Sequence, residues 1–267
     1  MPDLAPHAPL PTPRSGIPLI VPVIDLKDGQ VVRGIAGQRA QYRAVRSRIA
    51  NDARPSTVAI ALVEQFGFGH AYVADLDAIA GSEPDWNTYQ RIADTGLRLL
   101  VDAGVGNPAR AEQMRASAEA TLAFEGIVVG LESVASPTEL GEIAGQLGPQ
   151  LGVFSLDLKA GVTLADTSKW PGREAVDIAD AAIEMGFRRL IVLDLASVGV
   201  DRGPSVMGLC QTIRARHTDI PLISGGGVRD IADVHSLLAA GCNSILVASA
   251  LHDARITPED LGKEGGR

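Results

Sequence analysis

Cysteine is nearly absent from this chain of 267 residues. Its two, Cys210 and Cys242, have neither metal-ligand spacing nor the pattern of a disulfide framework, and they read as buried reduced thiols. Aromatic residues make up only 4%, so the core must be filled by Val, Ile, Leu and Ala, for which 46% hydrophobic content is ample. No apolar run approaches the ~20 residues that a membrane-spanning helix requires. Positive charge is also scarce: 24 Lys and Arg against 32 Asp and Glu leave a net charge of −8, which argues against nucleic acid or an acidic membrane surface as partner. The five histidines, His7, His70, His217, His235 and His252, match no nucleophile or metal pattern and read as structural. The first 16 residues are Pro-rich with one Arg and no signal-peptide core, so they are expected to form a flexible tail on a cytoplasmic protein.

The chain is rich in short apolar runs. They fall at 19–24, 71–74, 97–101, 126–129, 153–156, 190–193, 221–223 and 244–247. Between most of them lie segments with helical spacing, at 56–66, 108–119, 137–147, 173–185 and 231–239. The 29 glycines and 16 prolines are spread between the runs, as many tight connections require. Short strands alternating with helices predict parallel strands joined by crossovers, and continuous rather than alternating apolar character means both faces are covered. Eight such strands predict a single α/β domain over residues 17–267: a closed (β/α)8 TIM barrel.

The two halves resemble each other. The segment at 23–34 matches 155–166, Val73-Ala74-Asp75-Leu76 matches Val192-Leu193-Asp194-Leu195, Ala103-Gly104-Val105 matches Gly226-Gly227-Val228, and 127–130 matches 245–248, at offsets of 132, 119, 123 and 118. A barrel of two four-stranded halves places Asp25 on strand 1 and Asp157 on strand 5, opposite each other at the C-terminal mouth where barrel chemistry sits. Paired carboxylates suit a proton-shuttling enzyme. Gly225, Gly226 and Gly227 let backbone N–H groups approach a phosphate, and Ala248-Ser249 after strand 8 completes a cradle for it. The mirror segment, Asp102 to Gly106, puts a carboxylate where a second phosphate would lie.

Val-Ile-Asp-Leu-Lys-Asp-Gly-Gln-Val-Val-Arg at 23–33, Asp75-Leu76-Asp77, Gly225-Gly226-Gly227-Val228 and the run at 154–159 resemble the histidine-biosynthesis barrel family. That family contains phosphoribosylformimino-aminoimidazole carboxamide ribotide isomerase and the imidazole glycerol phosphate synthase cyclase subunit. The resemblance spans about residues 19–261. It departs in the loop after strand 6, where Val198 or Gly199 stands in place of the family's Asp, and after strand 3, where Asp102-Ala103-Gly104 replaces a glycine triplet. These departures resemble a divergent branch linked to methanopterin- and methanofuran-dependent one-carbon metabolism.

The resemblance implies Asp25 as base, with Asp157 as acid or orienting partner. It places Asp194 at the mouth as a third catalytic carboxylate. Lys27, Arg33 and Asp201 are candidate substrate contacts, and Trp170 is placed to stack on a heterocycle. The five-arginine segment at 39–54 corresponds to the family's first loop, a lid. The leading reading is a phosphosugar-type isomerase acting on a small phosphorylated substrate in one-carbon cofactor biosynthesis, using neither organic cofactor nor metal. One alternative is a histidine-pathway aminoaldose ribotide isomerase. The other is a non-catalytic barrel that binds a phosphometabolite or docks on a biosynthetic enzyme. A monomer or small homo-oligomer is expected.

Overall fold

Each of the eight apolar runs forms a strand in the computed structural model, which describes residues 18–121, 123–170 and 174–262. The expected N-terminal tail lies outside the described residues. The barrel strands are β1 (Ile20–Lys27), β2 (His70–Asp75), β3 (Arg98–Asp102), β4 (Phe124–Gly130), β5 (Gly152–Lys159), β6 (Leu190–Asp194), β7 (Leu222–Gly225) and β8 (Ser244–Val247). Each is parallel to the next, and β8 returns to β1 through Ile20↔Ile245 and Val21↔Leu246. The sheet is closed, a (β/α)8 barrel.

The helices are α1 (Pro55–Phe66), α2 (Leu76–Ile79), α3 (Trp86–Ala93), α4 (Pro108–Thr121), α5 (Pro137–Leu151), α6 (Ala175–Glu184), α7 (Met207–Arg216), α8 (Ile231–Ala239) and α9 (Ser249–His252). Helical spacing placed α1, α4, α5, α6 and α8 well, but did not mark α2, α3 or α7. Local chemistry sets their ends. Asp85 caps α3, Ser136 caps α5 and Asp230 caps α8, each accepting from a backbone N–H of the first turn. Gly67 closes α1 at φ 71°, a left-handed conformation that glycine adopts without steric cost.

The core has two shells. Strand residues of one parity pack outward against the helices, as do Ile24, Val73, Val101 and Ile245. Those of the other parity fill the barrel, with every strand contributing, from Val21 on β1 round to Leu246 on β8. Both faces are therefore dry, which explains the unbroken apolar runs. Among the described residues, no helix is long and apolar enough to cross a membrane.

The half-barrel repeat recurs in the turns. After β1, Asp28 and Gly29 (φ 51° and 71°) turn the chain into an antiparallel arm at Gln30–Arg33. After β5, Ala160 and Gly161 (φ 53° and 78°) do the same into Val162–Thr163. The arginine-rich segment that follows the first hairpin is pinned to the barrel. Arg43–Ala44 pairs with Val32 and Arg33, the Arg48 N–H donates to the His252 carbonyl at 2.8 Å, and Gln65 Nε2 donates to the Ile49 carbonyl.

Candidate active site

The C-terminal ends of the strands surround a cavity of about 100 Å³, open to solvent on one side. Asp25 enters it from β1, between Ala74 of β2 and Val32 of the hairpin arm. Asp157 enters from β5, on the opposite side of the ring. Residues of the inward parity, such as Val23, Ala74, Leu193 and Leu246, supply apolar walls. The cavity is thus an apolar chamber with carboxyl groups set into it.

A third carboxyl group shares the chamber, and it is Asp102 at the end of β3. Tyr72 donates its hydroxyl to Asp102 Oδ2 at 3.3 Å, and the Gly104 N–H donates to Oδ1 at 3.1 Å. Ser155 donates its hydroxyl to Asp157 Oδ1 at 2.7 Å. Burial of a carboxylate in low dielectric favours its neutral form. Burial pushes Asp25 up to about 7, against the pull of the Arg39 guanidinium. Burial pushes Asp157 up to about 8, with Ser155 drawing it down and the charges of Asp102 and Glu132 raising it further. Asp102 reaches about 6, again chiefly through burial, held back by the Gly104 N–H. Three carboxyl groups raised toward neutrality by burial in one cleft form an arrangement suited to acid–base chemistry.

Asp194 is not brought into this group. The N–H groups of Ala160, Gly161 and Ala196, each at 2.9 Å, and the Ser205 hydroxyl at 3.1 Å converge on its buried carboxylate. It ties the hairpin after β5 to the loop after β6. Its half-barrel counterpart Asp75 does the same work, accepting from the Ala78 and Asp85 N–H groups and from the Tyr89 hydroxyl.

The remaining candidates divide. Gly226, Gly227, Ala248, Ser249 and Asp201 line the cavity, while Gly225 lies just beneath, at the end of β7. Glycine is obligatory at two of these positions. A Cβ on Gly225 would stand 2.7 Å from the Leu246 carbonyl oxygen, and one on Gly227 would stand 2.8 Å from those of Gly203 and Ser197. Lys27 instead pairs with Asp28 at 2.9 Å, outside the cavity. Arg33 makes a bidentate pair with Asp253 at 2.8 and 2.7 Å, joining the first hairpin to the end of α9. Trp170 is 6% exposed and packs into the outer core, so its ring does not reach the chamber.

Sequence reasoning passed over four residues of the wall. Tyr42, Tyr72 and Glu132 carried no motif, and Arg39 was one arginine among five. Arg39 pairs with Glu132 across the mouth, and of the five it alone lines the chamber. Arg54 is engaged by Asp52, and Arg43 by backbone carbonyls. Among the described residues, no group of His, Cys, Asp or Glu side chains is set to hold a metal ion.

Comparison with known proteins agrees with this architecture. A Methylobacterium nodulans 1-(5-phosphoribosyl)-5-((5-phosphoribosylamino)methylideneamino) imidazole-4-carboxamide isomerase is 30% identical over 252 residues, covering 91% of this chain and 92% of the relative. The isomerase of the same name from Syntrophomonas wolfei is 27% identical over 254 residues, covering 92% and 98%. An uncharacterized protein of Methanocaldococcus jannaschii is 27% identical over 242 residues, covering 91% and 96%. The family described as histidine biosynthesis protein matches residues 19–257, nearly the whole barrel. This chain belongs to the histidine biosynthesis protein family.

Proposed function

We propose that the protein is an aldose–ketose isomerase acting on a phosphorylated aminoaldose, with the ribotide named by its isomerase relatives as substrate. The observation that carries this reading is the pair of buried, inward-facing carboxyl groups on β1 and β5, both titrating near neutrality. An Amadori rearrangement needs two such groups on opposite faces of the sugar. The acid on the β5 side protonates the ring oxygen, the bond from that oxygen to C1 breaks, and the amino nitrogen lone pair forms the C=N bond. Asp25 then removes the C2 proton to give an enaminol. Loss of the C2 hydroxyl proton to the β5 side, with return of the proton from Asp25 to C1, yields the aminoketose and restores both carboxyl groups. Each positioned transfer contributes on the order of 10²–10⁴-fold. Gly226, Gly227, Ala248 and Ser249 hold the phosphate through close backbone approach.

One observation favours a second substrate within the same chemistry. Asp102 stands in the half of the mouth where a second phosphate would bind, and its ionised form repels one. A singly phosphorylated aminosugar, such as an intermediate of methanopterin or methanofuran biosynthesis, avoids that repulsion. The docking alternative finds little support, because among the described residues the exposed large apolar side chains Ile60, Val162 and Met207 sit on three different elements.

Turnover of the ribotide by wild type, Asp25→Asn and Asp157→Asn is the test. Wild-type turnover lost in both variants is expected. Wild-type turnover that survives Asp25→Asn would refute the assignment of the base, and no turnover despite ribotide binding would favour the singly phosphorylated class.

A further inference from the structure

Asp25 differs from the other aspartates at the strand ends. Asp75, Asp102, Asp157 and Asp194 each accept hydrogen bonds from neighbouring N–H or hydroxyl groups. Among the described residues, no group of the protein donates one to Asp25. Both of its oxygens are therefore free for a proton taken from substrate. A base must nonetheless be held within reach of that proton, so packing has to do the holding.

Two loops provide it. A Cβ at Gly34, next after the first hairpin arm, would stand 3.2 Å from Asp25 Oδ2, 2.8 Å from Val198 Cγ1 and 3.6 Å from the Tyr42 hydroxyl. Val198 lies in the loop after β6 and lines the chamber. Its other methyl, Cγ2, faces the glycine run after β7, where a Cβ at Gly226 would stand 3.7 Å away. Val198 thus sits between Asp25 and Gly226. The Ala36 N–H donates to the Val198 carbonyl at 2.8 Å and fixes it there. Ala36 holds φ 47° in this turn, a conformation that few residues with a Cβ adopt. Gly199 follows at φ 67°, where a Cβ would collide with the Gly34 carbonyl oxygen. The β1 and β6 loops therefore meet on bare backbone beside Asp25.

We propose that Val198 is a positioning residue for Asp25: clasped between the β1 and β6 loops, its isopropyl group closes the Gly34 side of the carboxyl group and keeps it turned into the chamber. The contact stands on geometry; its effect on turnover rests on the isomerase reading. Titratable and charged neighbours come from the other elements of the wall, with Arg39 and Tyr42 after β1, Tyr72 on β2, Asp102 on β3, Glu132 after β4 and Asp157 on β5. All of them are kept in the variants below, so a change at Asp25 reports its packing.

The space beside Asp25 can be filled from either loop, and that supplies the test. Val198→Ala, Gly34→Ala and the double variant are compared with wild type by carboxyl NMR of ¹³C-aspartate-labelled protein and by ribotide kinetics. The Asp25 resonance is the one lost in Asp25→Asn. Val198→Ala admits water to the carboxyl group, so its midpoint should fall by about one pH unit from about 7. Its kcat should fall about 10-fold, with KM changed less than about 3-fold. Gly34 lies outside the left-handed region, so its backbone accepts alanine, but the methyl strikes Val198 and crowds Asp25. Gly34→Ala should therefore lower kcat by about 10-fold or more. In the double variant the Gly34 methyl takes the space that Val198 vacates, and the midpoint and kcat should return to within about half a pH unit and about 3-fold of wild type. An Asp25 midpoint unmoved by Val198→Ala would overturn the proposal, as would a double variant no closer to wild type than the worse single. A midpoint shifted and restored in this way, in a protein inert toward the ribotide, would support the positioning of Asp25 and remove the isomerase reading alone.

Discussion

Asp157→Asn should stabilise the barrel in alkaline solution. A carboxyl group whose folded-state pKa is raised is preferred by the fold in its protonated form. Its favourable contribution is complete below the unfolded-state value of about 3.9 and is lost as pH rises through the folded value. For Asp157 that loss extends to about pH 8. About four pKa units set a ceiling on the order of 5 kcal/mol at pH 9, against roughly 1 kcal/mol at pH 5. Hydration through the open chamber and coupling to Asp102 reduce the difference between the two pH values to ~2 kcal/mol. Asparagine keeps an acceptor for the Ser155 hydroxyl and never ionises, so it escapes the loss. Urea unfolding of both proteins at pH 5 and pH 9 measures the effect. With m on the order of 4 kcal/mol/M for a chain of this size, the variant's midpoint should gain about 0.5 M relative to wild type between the two pH values. A gap independent of pH, or a variant less stable than wild type at pH 9, would refute the claim that Asp157 is held protonated by burial.

Three further outcomes follow from the same chamber. Asp25→Asn should lower kcat by about 10²–10⁴-fold with little change in KM, and the wild-type kcat should rise with pH through about 7, as a base that must be ionised requires. Arg39→Met removes the cation that draws Asp25 downward, so the ascending limb of that profile should move to higher pH, and its failure to move would disconnect Arg39 from the base. Asp194→Asn should lower the melting temperature by several degrees, since unmaking one charged acceptor costs about 1–3 kcal/mol, while the folded fraction keeps its kcat; a kcat lost before stability would return Asp194 to the chemistry.

The barrel was legible because its strands are dry on both faces, and that physical fact writes unbroken apolar runs into the sequence. The half-barrel repeat was legible too, down to the turn residues that follow β1 and β5. Helices α2, α3 and α7 were not. α7, with a polar sequence that buries only Cys210 and Ile213, gave no periodic signal. Trp170 misled for a different reason: a lone aromatic beside a catalytic strand suggests stacking, yet a large side chain on a loop also closes the outer core, and here it does.

The exchange between Asp194 and Asp102 has a stricter cause, which is strand parity. Inward-facing residues alternate with outward-facing ones. On β1 the inward set runs Val21, Val23, Asp25; on β3 it runs Leu100, Asp102; on β5 it runs Val153, Ser155, Asp157. On β2 and β6 the inward residues are Ala74 and Leu193, which leaves Asp75 and Asp194 on the other parity, aimed at loop amides. An apolar run that is buried on both faces conceals which parity points inward, so a terminal Asp cannot be assigned from its position alone. The repeat holds the missing information. Asp75 and Asp194 occupy matching places in the two halves, and each is followed by a short helical turn that needs a capping acceptor. A carboxylate duplicated together with its turn serves the turn. Asp102 matches Gly225 in the same comparison, so one half ends this strand in an acid and the other in glycine. That asymmetry, set beside the symmetry of Asp25 and Asp157, is what gives the chamber a carboxyl group at the end of β3 with no counterpart at the end of β7.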